Sequence, residues 1–184
     1  MSPGRAALVI VDVQEAAISR GPYRKDEVVE NIAALLDVSR GSGVEVVYVQ
    51  HDGASGDEYE PGTPGWEIYR AIEPKPGEKV VRKRFNSGFR ETGLRAHLEE
   101  RGVGTIVLVG IQTEYCVDTT CRVAFEFGFD IVIPEMTNTT YDTDELSARQ
   151  IHDHYNRRIW DGRFATVRTM ADTLKALDGG GGFA

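Results

Sequence analysis

Residues 107–120 read Val-Leu-Val-Gly-Ile-Gln-Thr-Glu-Tyr-Cys-Val-Asp-Thr-Thr, an apolar run followed by a short polar turn and a more polar segment. The apolar run predicts a buried strand from Thr105 to Gly110, and the segment after the turn predicts a helix from Cys116 to Phe127. A thiol at the start of a helix lies near unpaired N–H groups and the positive end of the helix dipole, which favour the thiolate. The stretch therefore predicts a strand, a turn and a helix, with Cys116 as a candidate nucleophile.

The alternation of strand and helix continues on both sides of this stretch. Apolar runs predict further strands at 6–12, 44–49, 79–83, 129–134 and 164–167, and helical spacing of apolar residues predicts helices at 26–40, 92–101, 144–159 and 170–177. Strands that alternate with helices imply right-handed crossovers and a parallel sheet covered on both faces. The sequence therefore predicts a three-layer, doubly wound α/β fold.

Length and composition predict a single domain. A chain of 184 residues with 41% hydrophobic residues can bury an adequate core, and we assign residues 1–178 to one domain and the glycine-rich residues 179–184 to a flexible tail. No apolar run approaches the ~20 residues of a membrane span, and the N-terminus reaches a charged residue too early for a signal peptide. We therefore expect a cytoplasmic protein that does not bind membranes.

Charge and cysteine content narrow the choice of partners. A formal net charge of −8 disfavours binding to nucleic acid, which needs clustered Lys and Arg. The two cysteines, Cys116 and Cys121, are five positions apart, which suits neither a Cys-x-x-Cys redox pair nor a zinc site, so we expect free thiols. His51 with nearby acidic residues makes a weak ligand set, and we expect no metal and no cofactor. The expected partner is a small-molecule substrate.

Three residues of different chemistry follow predicted strands. Asp12, Lys83 and Cys116 each stand at the end of a strand or just after it, and ligands of such sheets bind beyond the carboxyl ends of the strands. Each residue alone also fits a structural role, as a turn cap, a solvated charge or a buried thiol. Their joint placement favours a site.

A carboxylate, an ammonium and a thiol in one crevice support nucleophilic catalysis. Asp12 can accept the proton of the thiol, Lys83 can stabilise the charges of both neighbours, and Cys116 can attack a carbonyl carbon. Backbone N–H groups of Cys116 and of a residue in the turn near Gln112 are candidate donors to the oxyanion. The long loop at 51–76 is of a kind that usually serves function.

Three motifs resemble those of the isochorismatase-like cysteine hydrolase family. They are Leu8-Val-Ile-Val-Asp-Val-Gln14, Lys83-Arg-Phe-Asn-Ser-Gly-Phe89 and Gly110-Ile-Gln-Thr-Glu-Tyr-Cys-Val117, and the similarity extends from Leu8 to about Thr169. The resemblance implies a six-stranded parallel sheet and a catalytic triad of Asp12, Lys83 and Cys116. It also implies a cis peptide at Ile111–Gln112 that directs the N–H of Gln112, with that of Cys116, into an oxyanion hole. The resemblance further implies a homo-oligomer, and the helix at 145–159 is a candidate interface.

Departures from the family patterns refine the expected function. His51 is followed by no second histidine in the loop, which argues against a metal-dependent nicotinamidase. The loop Glu60-Pro-Gly-Thr-Pro-Gly-Trp66 resembles that of a branch that includes streptothricin hydrolase-like amidases. Glu135 stands where many relatives have Asp, and we expect it to affect packing near the crevice.

The expected function is that of a metal-independent cysteine amidohydrolase. It would cleave the C–N bond of a small amide, lactam or carbamoyl compound through a thioester on Cys116. We expect the pocket to be lined by Gln14, Trp66, Phe85, Phe89 and Tyr115, although the aromatic residues also fit the core. The alternatives are an isochorismatase-type vinyl ether hydrolase, which needs no cysteine nucleophile, and a catalytically silent scaffold of the same fold.

Overall fold

The computed structural model describes residues 5–183; residues 1–4 of the predicted domain and Ala184 of the predicted tail lie outside the described part. Its strands are β1 (Arg5–Val11), β2 (Glu45–His51), β3 (Lys79–Lys83), β4 (Val103–Ile111), β5 (Asp130–Pro134), β6 (Asn138–Thr139) and β7 (Thr166–Arg168). All pairs are parallel, in the order β3-β2-β1-β4-β5-β7. The two-residue β6 pairs with the end of β4. The predicted parallel α/β sheet is confirmed, with β6 as an addition that is too short to show a sequence pattern.

Helices cover both faces of the sheet. They are α1 (Glu15–Ser19), α2 (Lys25–Gly41), α3 (Leu94–Glu100), α4 (Asp118–Glu126), α5 (Ala148–His154) and α6 (Met170–Asp178). α3 and α4 pack in one hydrophobic cluster, and α1, α2 and α6 pack in the other. β1 divides its side chains between them, since alternate residues of a strand point to opposite faces. Within the described residues, no helix has the length and apolar character that crossing a bilayer requires.

Three predicted helices begin elsewhere. The helix predicted from Cys116 is preceded by a π-helical turn at Thr113–Val117, so that the thiol lies within a turn and α4 follows it. The helix predicted from residue 144 begins at Ala148 because Ser147 and Gln150 form a reciprocal capping box. Its second half is another π-helical turn, Tyr155–Trp160. The helix at 92–101 starts at Leu94, since Thr92 Oγ1 donates to the carbonyl of Gly88 at 2.6 Å.

The described part of the predicted flexible tail is packed on the domain. Gly181 is buried, its N–H donates to the carbonyl of Ala176 at 2.9 Å, and its φ is 82°. A Cβ at Gly181 would lie 2.7 Å from Cβ of Ala6, so only glycine permits this approach. Phe183 packs against the cluster that contains α2, and the guanidinium of Arg168 lies 5.6 Å from its ring centre. Residues 179–183 therefore cover the start of β1.

Gly110 allows β4 to pass close to the end of β1. Its φ is 136°, and a Cβ there would lie 2.1 Å from the carbonyl oxygen of Val11. Its N–H donates to the carbonyl of Thr137 at 3.0 Å, next to β6. No side chain fits between these backbones, so glycine fixes the geometry where β4 leads into the turn at Thr113–Val117.

Candidate active site

A cavity opens at the carboxyl edge of the sheet, where β1, β2, β3 and β4 end. Its volume is about 300 Å³, and it is lined by Asp12, Ala17, His51, Asp57, Glu58, Tyr59, Asn86, Ile111, Gln112, Tyr115 and Cys116. A larger cavity of about 500 Å³ lies beside β5 and β7 and contains none of the predicted site residues. The chemistry is therefore concentrated in the smaller cavity.

The structure brings the three predicted catalytic residues together. Lys83 Nζ lies 2.5 Å from Asp12 Oδ2 and donates to Cys116 Sγ at 3.4 Å. The side chains of Lys83 and Asp12 are 0% and 8% exposed. β2 separates β3 from β1, and neighbouring strands lie roughly 4.8 Å apart, so the long stem of Lys83 spans the end of the intervening strand. The ammonium thus joins the carboxylate to the thiol.

The thiol is held in its neutral form. Burial, together with the negative charge of Asp12, raises the pKa of Cys116 to about 12, and Lys83 only partly opposes this. The thiolate expected from a helix N-terminus is therefore not the resting form, because burial and the Asp12 carboxylate outweigh the effect of the Lys83 ammonium. Burial lowers the pKa of Lys83, but its two partners raise it above the ordinary value, so Lys83 is an ammonium at neutral pH.

Asp12 is placed to accept the proton of the thiol. Its Oδ1 is buried and has no hydrogen-bond partner among residues 5–183, while Oδ2 is paired with Lys83. Its backbone N–H donates to the carbonyl of Val49 at 2.8 Å, which fixes the residue against β2. A φ of 55° turns the chain at this point, a conformation that Asp adopts more readily than most residues. One carboxylate oxygen is thus available for proton transfer.

The elbow is defined as residues 112–117, which include the thiol and the two residues predicted to donate to an oxyanion. The Ile111–Gln112 peptide is cis, as the resemblance implied. The carbonyl of Gln112 accepts the N–H groups of Tyr115 and Val117 at 3.2 and 3.1 Å. Gln112 and Cys116 both line the cavity. Their N–H groups stay the predicted donors to an oxyanion.

Gln14 does not line the cavity, contrary to the sequence-based expectation. It is 0% exposed, and its Nε2 donates to the carbonyls of His51 and Trp66 at 3.0 and 2.7 Å. Its Oε1 accepts the N–H of His51 at 2.9 Å. Gln14 therefore joins the end of β2 to the long loop and cannot contact a substrate.

Three predicted aromatic pocket residues also lie outside the cavity lining. Phe89 packs in the core against Phe129, because burial of a large apolar ring dominates there. Trp66 Nε1 donates to Asp52 Oδ1 at 2.9 Å, and Phe85 lies under the guanidinium of Arg90. Of the five residues predicted to line the pocket, Tyr115 does so, with 52% of its surface exposed.

The remaining wall of the cavity comes from residues that the sequence did not single out as binding residues. Asn86 follows β3, and Asp57, Glu58 and Tyr59 belong to the long loop. His51 ends β2, its ring contacts Tyr59 at 5.8 Å between centres, and burial and Lys83 lower its pKa. The position of His51 at the end of a predicted strand could have identified it as a cavity residue. From the sequence we considered it only as a weak metal ligand.

Two further expectations concern a metal and Glu135. Within residues 5–183, no three His, Cys, Asp or Glu side chains converge as a metal would require. Glu135 is exposed, its N–H donates to the carbonyl of Arg168 at 2.8 Å, and it does not line the cavity that contains Cys116. Glu135 thus lies beside β7 and apart from the site.

Sequence comparison identifies relatives over most of the chain. Residues 6–172 match the isochorismatase domain. Streptothricin hydrolase from Streptomyces noursei is 42% identical over 143 residues, which are 74% of this chain and 50% of that protein. The ureidoacrylate amidohydrolase of Agrobacterium fabrum is 29% identical, over 95% of this chain and 92% of that protein. The chain thus spans about half the length of the streptothricin hydrolase and almost all of the amidohydrolase.

Comparison with solved structures also identifies an isochorismatase. The crystal structure of an isochorismatase from Pseudomonas putida KT2440 superposes with a TM-score of 0.86 at 30% sequence identity. The match covers 94% of this chain and 93% of that one. The similarity therefore extends over nearly the whole length of both chains.

Proposed function

Because the chain belongs to the isochorismatase family, we propose that it is a metal-independent cysteine amidohydrolase that cleaves the C–N bond of a small amide, lactam or carbamoyl compound. One observation carries the proposal: Lys83 Nζ contacts both the Asp12 carboxylate and the Cys116 thiol, two groups that line the cavity. The names of two relatives, a streptothricin hydrolase and a ureidoacrylate amidohydrolase, support hydrolysis of amide-type bonds.

The first half of the proposed reaction forms a thioester. Asp12 accepts the proton of the Cys116 thiol as sulfur attacks the carbonyl carbon of the substrate. The developing oxyanion accepts hydrogen bonds from the N–H groups of Gln112 and Cys116. Asp12 then gives its proton to the leaving nitrogen as the C–N bond breaks, and ammonia or an amine departs.

The second half regenerates the thiol. Asp12 accepts a proton from a water molecule, which attacks the thioester carbonyl, and the same two N–H groups stabilise the second oxyanion. The carboxylic acid product leaves as sulfur takes back the proton from Asp12. Lys83 remains an ammonium throughout, and it stabilises whichever neighbour carries negative charge.

Covalent trapping tests the identity of the nucleophile. A chloroacetamide probe with a small amide-like group should alkylate Cys116, because the cavity brings its reactive carbon to the sulfur beside Asp12. Mass spectrometry of peptides after digestion identifies the modified residue. Lys83→Ala should abolish labelling, since the thiol then lacks its cationic neighbour.

Cys121 is the internal control for the trapping experiment. It is fully buried in α4, and burial raises its pKa to about 12, so it should stay unmodified while the protein is folded. Labelling confined to Cys121 would contradict the mechanism. The mechanism would also be contradicted if the folded wild-type protein took up no label while the protein unfolded in urea was labelled at both cysteines.

Charge at the cavity predicts which amides react best. Asp12, Asp57 and Glu58 line it. Lys83 pairs with Asp12 and Arg20 pairs with Glu58, so Asp57 is, among the described residues, the lining carboxylate without a cationic partner. A like charge near carboxylates is disfavoured, so succinamate should have a kcat/KM about tenfold or more below that of neutral succinamide. Ammonia release measured for succinamate, succinamide and 4-aminobutanamide gives the order of preference.

A charge-neutral variant provides the control for this order. Asp57→Asn should reduce the difference in kcat/KM between succinamate and succinamide. Asp37→Asn, at an exposed position of α2, should leave this difference unchanged. Higher salt should also reduce the difference in kcat/KM, because exposed charges are screened. A preference for succinamate in the wild-type protein would contradict the expected order.

A further inference from the structure

A set of buried polar side chains lies behind the elbow. The Thr113 hydroxyl donates to Asn138 Oδ1 at 2.8 Å, and the side-chain amides of Asn138 and Asn156 donate to each other at 3.0 and 3.1 Å. Asn156 Nδ2 also donates to the carbonyl of His152 at 2.8 Å. Thr113 and Asn138 are 0% exposed, and Asn156 is 4% exposed. The set connects the elbow to β6 and to the turn at Tyr155–Trp160.

A second link joins the same distant turn to the other side of the elbow. Trp160 Nε1 donates to Asp118 Oδ1 at 2.8 Å, and Arg122 Nε donates to the same carboxylate at 2.9 Å. Asp118 is the first residue of α4, directly after the elbow. The turn at Tyr155–Trp160 therefore contacts both flanks of the elbow, through Asn138 and Thr113 on one side and through Asp118 on the other.

Hydrogen bonds specify direction in a way that apolar contacts do not. Asn138 Oδ1 accepts from both Thr113 and Asn156, so both acceptor positions of this oxygen are used. A buried network whose members are all paired favours one arrangement of the chain over its neighbours. The elbow needs such a constraint, because an oxyanion hole works only when its N–H donors point at the developing charge.

We propose that Thr113, Asn138 and Asn156 are positioning residues that hold the elbow so that the N–H groups of Gln112 and Cys116 face the reacting carbonyl. The proposal rests on the proposed function, since it concerns the same site. None of the three residues lines the cavity, so each acts through the elbow and does not contact the substrate.

Thr113→Val tests this proposal with the smallest change in shape. The valine keeps the volume of Thr113 and removes the hydroxyl that binds Asn138. Displacement of reacting groups by about 1 Å can cost roughly 100-fold in rate, so we expect kcat to fall roughly 10- to 100-fold while KM stays within about twofold. Thr113→Ser keeps the hydroxyl and should restore kcat to within about threefold of wild type. Asn156→Ala, one bond further from the elbow, should lower kcat in the same way.

Thr173→Val is the matched control. Thr173 is 0% exposed in α6, and its hydroxyl donates to the carbonyl of Thr169 at 2.9 Å, so this variant also loses one buried hydroxyl hydrogen bond. We expect it to leave kcat and KM unchanged. Hydrogen exchange followed by mass spectrometry should show faster exchange of the peptide that spans 108–120 in Thr113→Val, and no change there in Thr173→Val.

The outcomes separate this proposal from the proposed function. A folded Thr113→Val protein with wild-type kcat, or a Thr113→Ser protein as slow as Thr113→Val, would overturn the positioning role. If the wild-type protein hydrolysed no amide, the proposed function would fail by itself. The exchange measurement would then decide the positioning role, because unchanged exchange in Thr113→Val would overturn it without any substrate.

Discussion

Cys116→Ala is expected to abolish amide hydrolysis and to leave the protein folded. The substitution removes the atom that forms the thioester, and loss of a nucleophile typically lowers kcat by ~10⁴-fold or more. Cys116 is only partly enclosed in the elbow, so its shortening by one atom should change the unfolding midpoint by a few degrees at most. Ammonia release from an amide library and circular dichroism measure the two effects.

Cys121→Ala is the matched control for Cys116→Ala. Cys121 packs in the core, so its loss should lower stability and keep activity.

A vinyl ether hydrolase, the rival reaction, would need Asp12 but no thiol. Hydrolysis of isochorismate that survives Cys116→Ala and disappears in Asp12→Ala would therefore support the rival. Amide hydrolysis that survives Cys116→Ala would contradict the thioester mechanism.

Lys83→Met is expected to lower both stability and activity. It leaves the Asp12 carboxylate buried without its partner, and breaking a buried ion pair from one side typically costs about 3–5 kcal/mol in the free energy of unfolding. The isolated Asp12 should bind a proton to escape this cost, and a protonated acid cannot accept the proton of the thiol. Loss of the general base should lower kcat by ~10²–10⁴-fold. Urea unfolding and ammonia release at pH 7 measure these effects.

A double variant shows whether the loss of stability comes from the unpaired charge. Asp12→Asn combined with Lys83→Met contains no buried charge, so it should regain most of the stability lost by Lys83→Met alone. Its activity should stay absent, because the base is missing. A Lys83→Met protein as stable as wild type, or a double variant less stable than both single ones, would contradict the proposed coupling of the pair.

Apolar sequence allowed most of the sheet to be predicted. β1 starts and ends one residue before the run at 6–12 that predicted it, because a strand buried on both faces of a parallel sheet shows a continuous apolar pattern. The strand-end positions of Asp12, Lys83 and Cys116 favoured a site, and the resemblance of the three motifs implied that they act as a triad. Parallel topology explains why their side chains meet, since the carboxyl ends of the strands lie at one edge of the sheet.

The wall of the cavity could not be predicted in this way, because contacts distant in sequence form it. The loop that contributes Tyr59 is held by the Gln14 side chain, 52 positions before its partner Trp66. Phe89 has the size and polarity of a pocket residue, yet burial against Phe129 places it in the core. The two π-helical turns leave no period of their own in the sequence, and this placed the thiol at a helix start that the structure does not have.

The central position of β1 has a consequence for how this site comes into being. Ala7 pairs with Glu45 on one side and with Ile106 on the other, partners that are roughly 40 and about 100 positions away in the chain. Contacts so distant in sequence form slowly during folding. On the ribosome, Asp12 emerges long before the elbow that it serves. The carboxylate and the elbow therefore meet only after β1 and β4 have paired across this long stretch of chain.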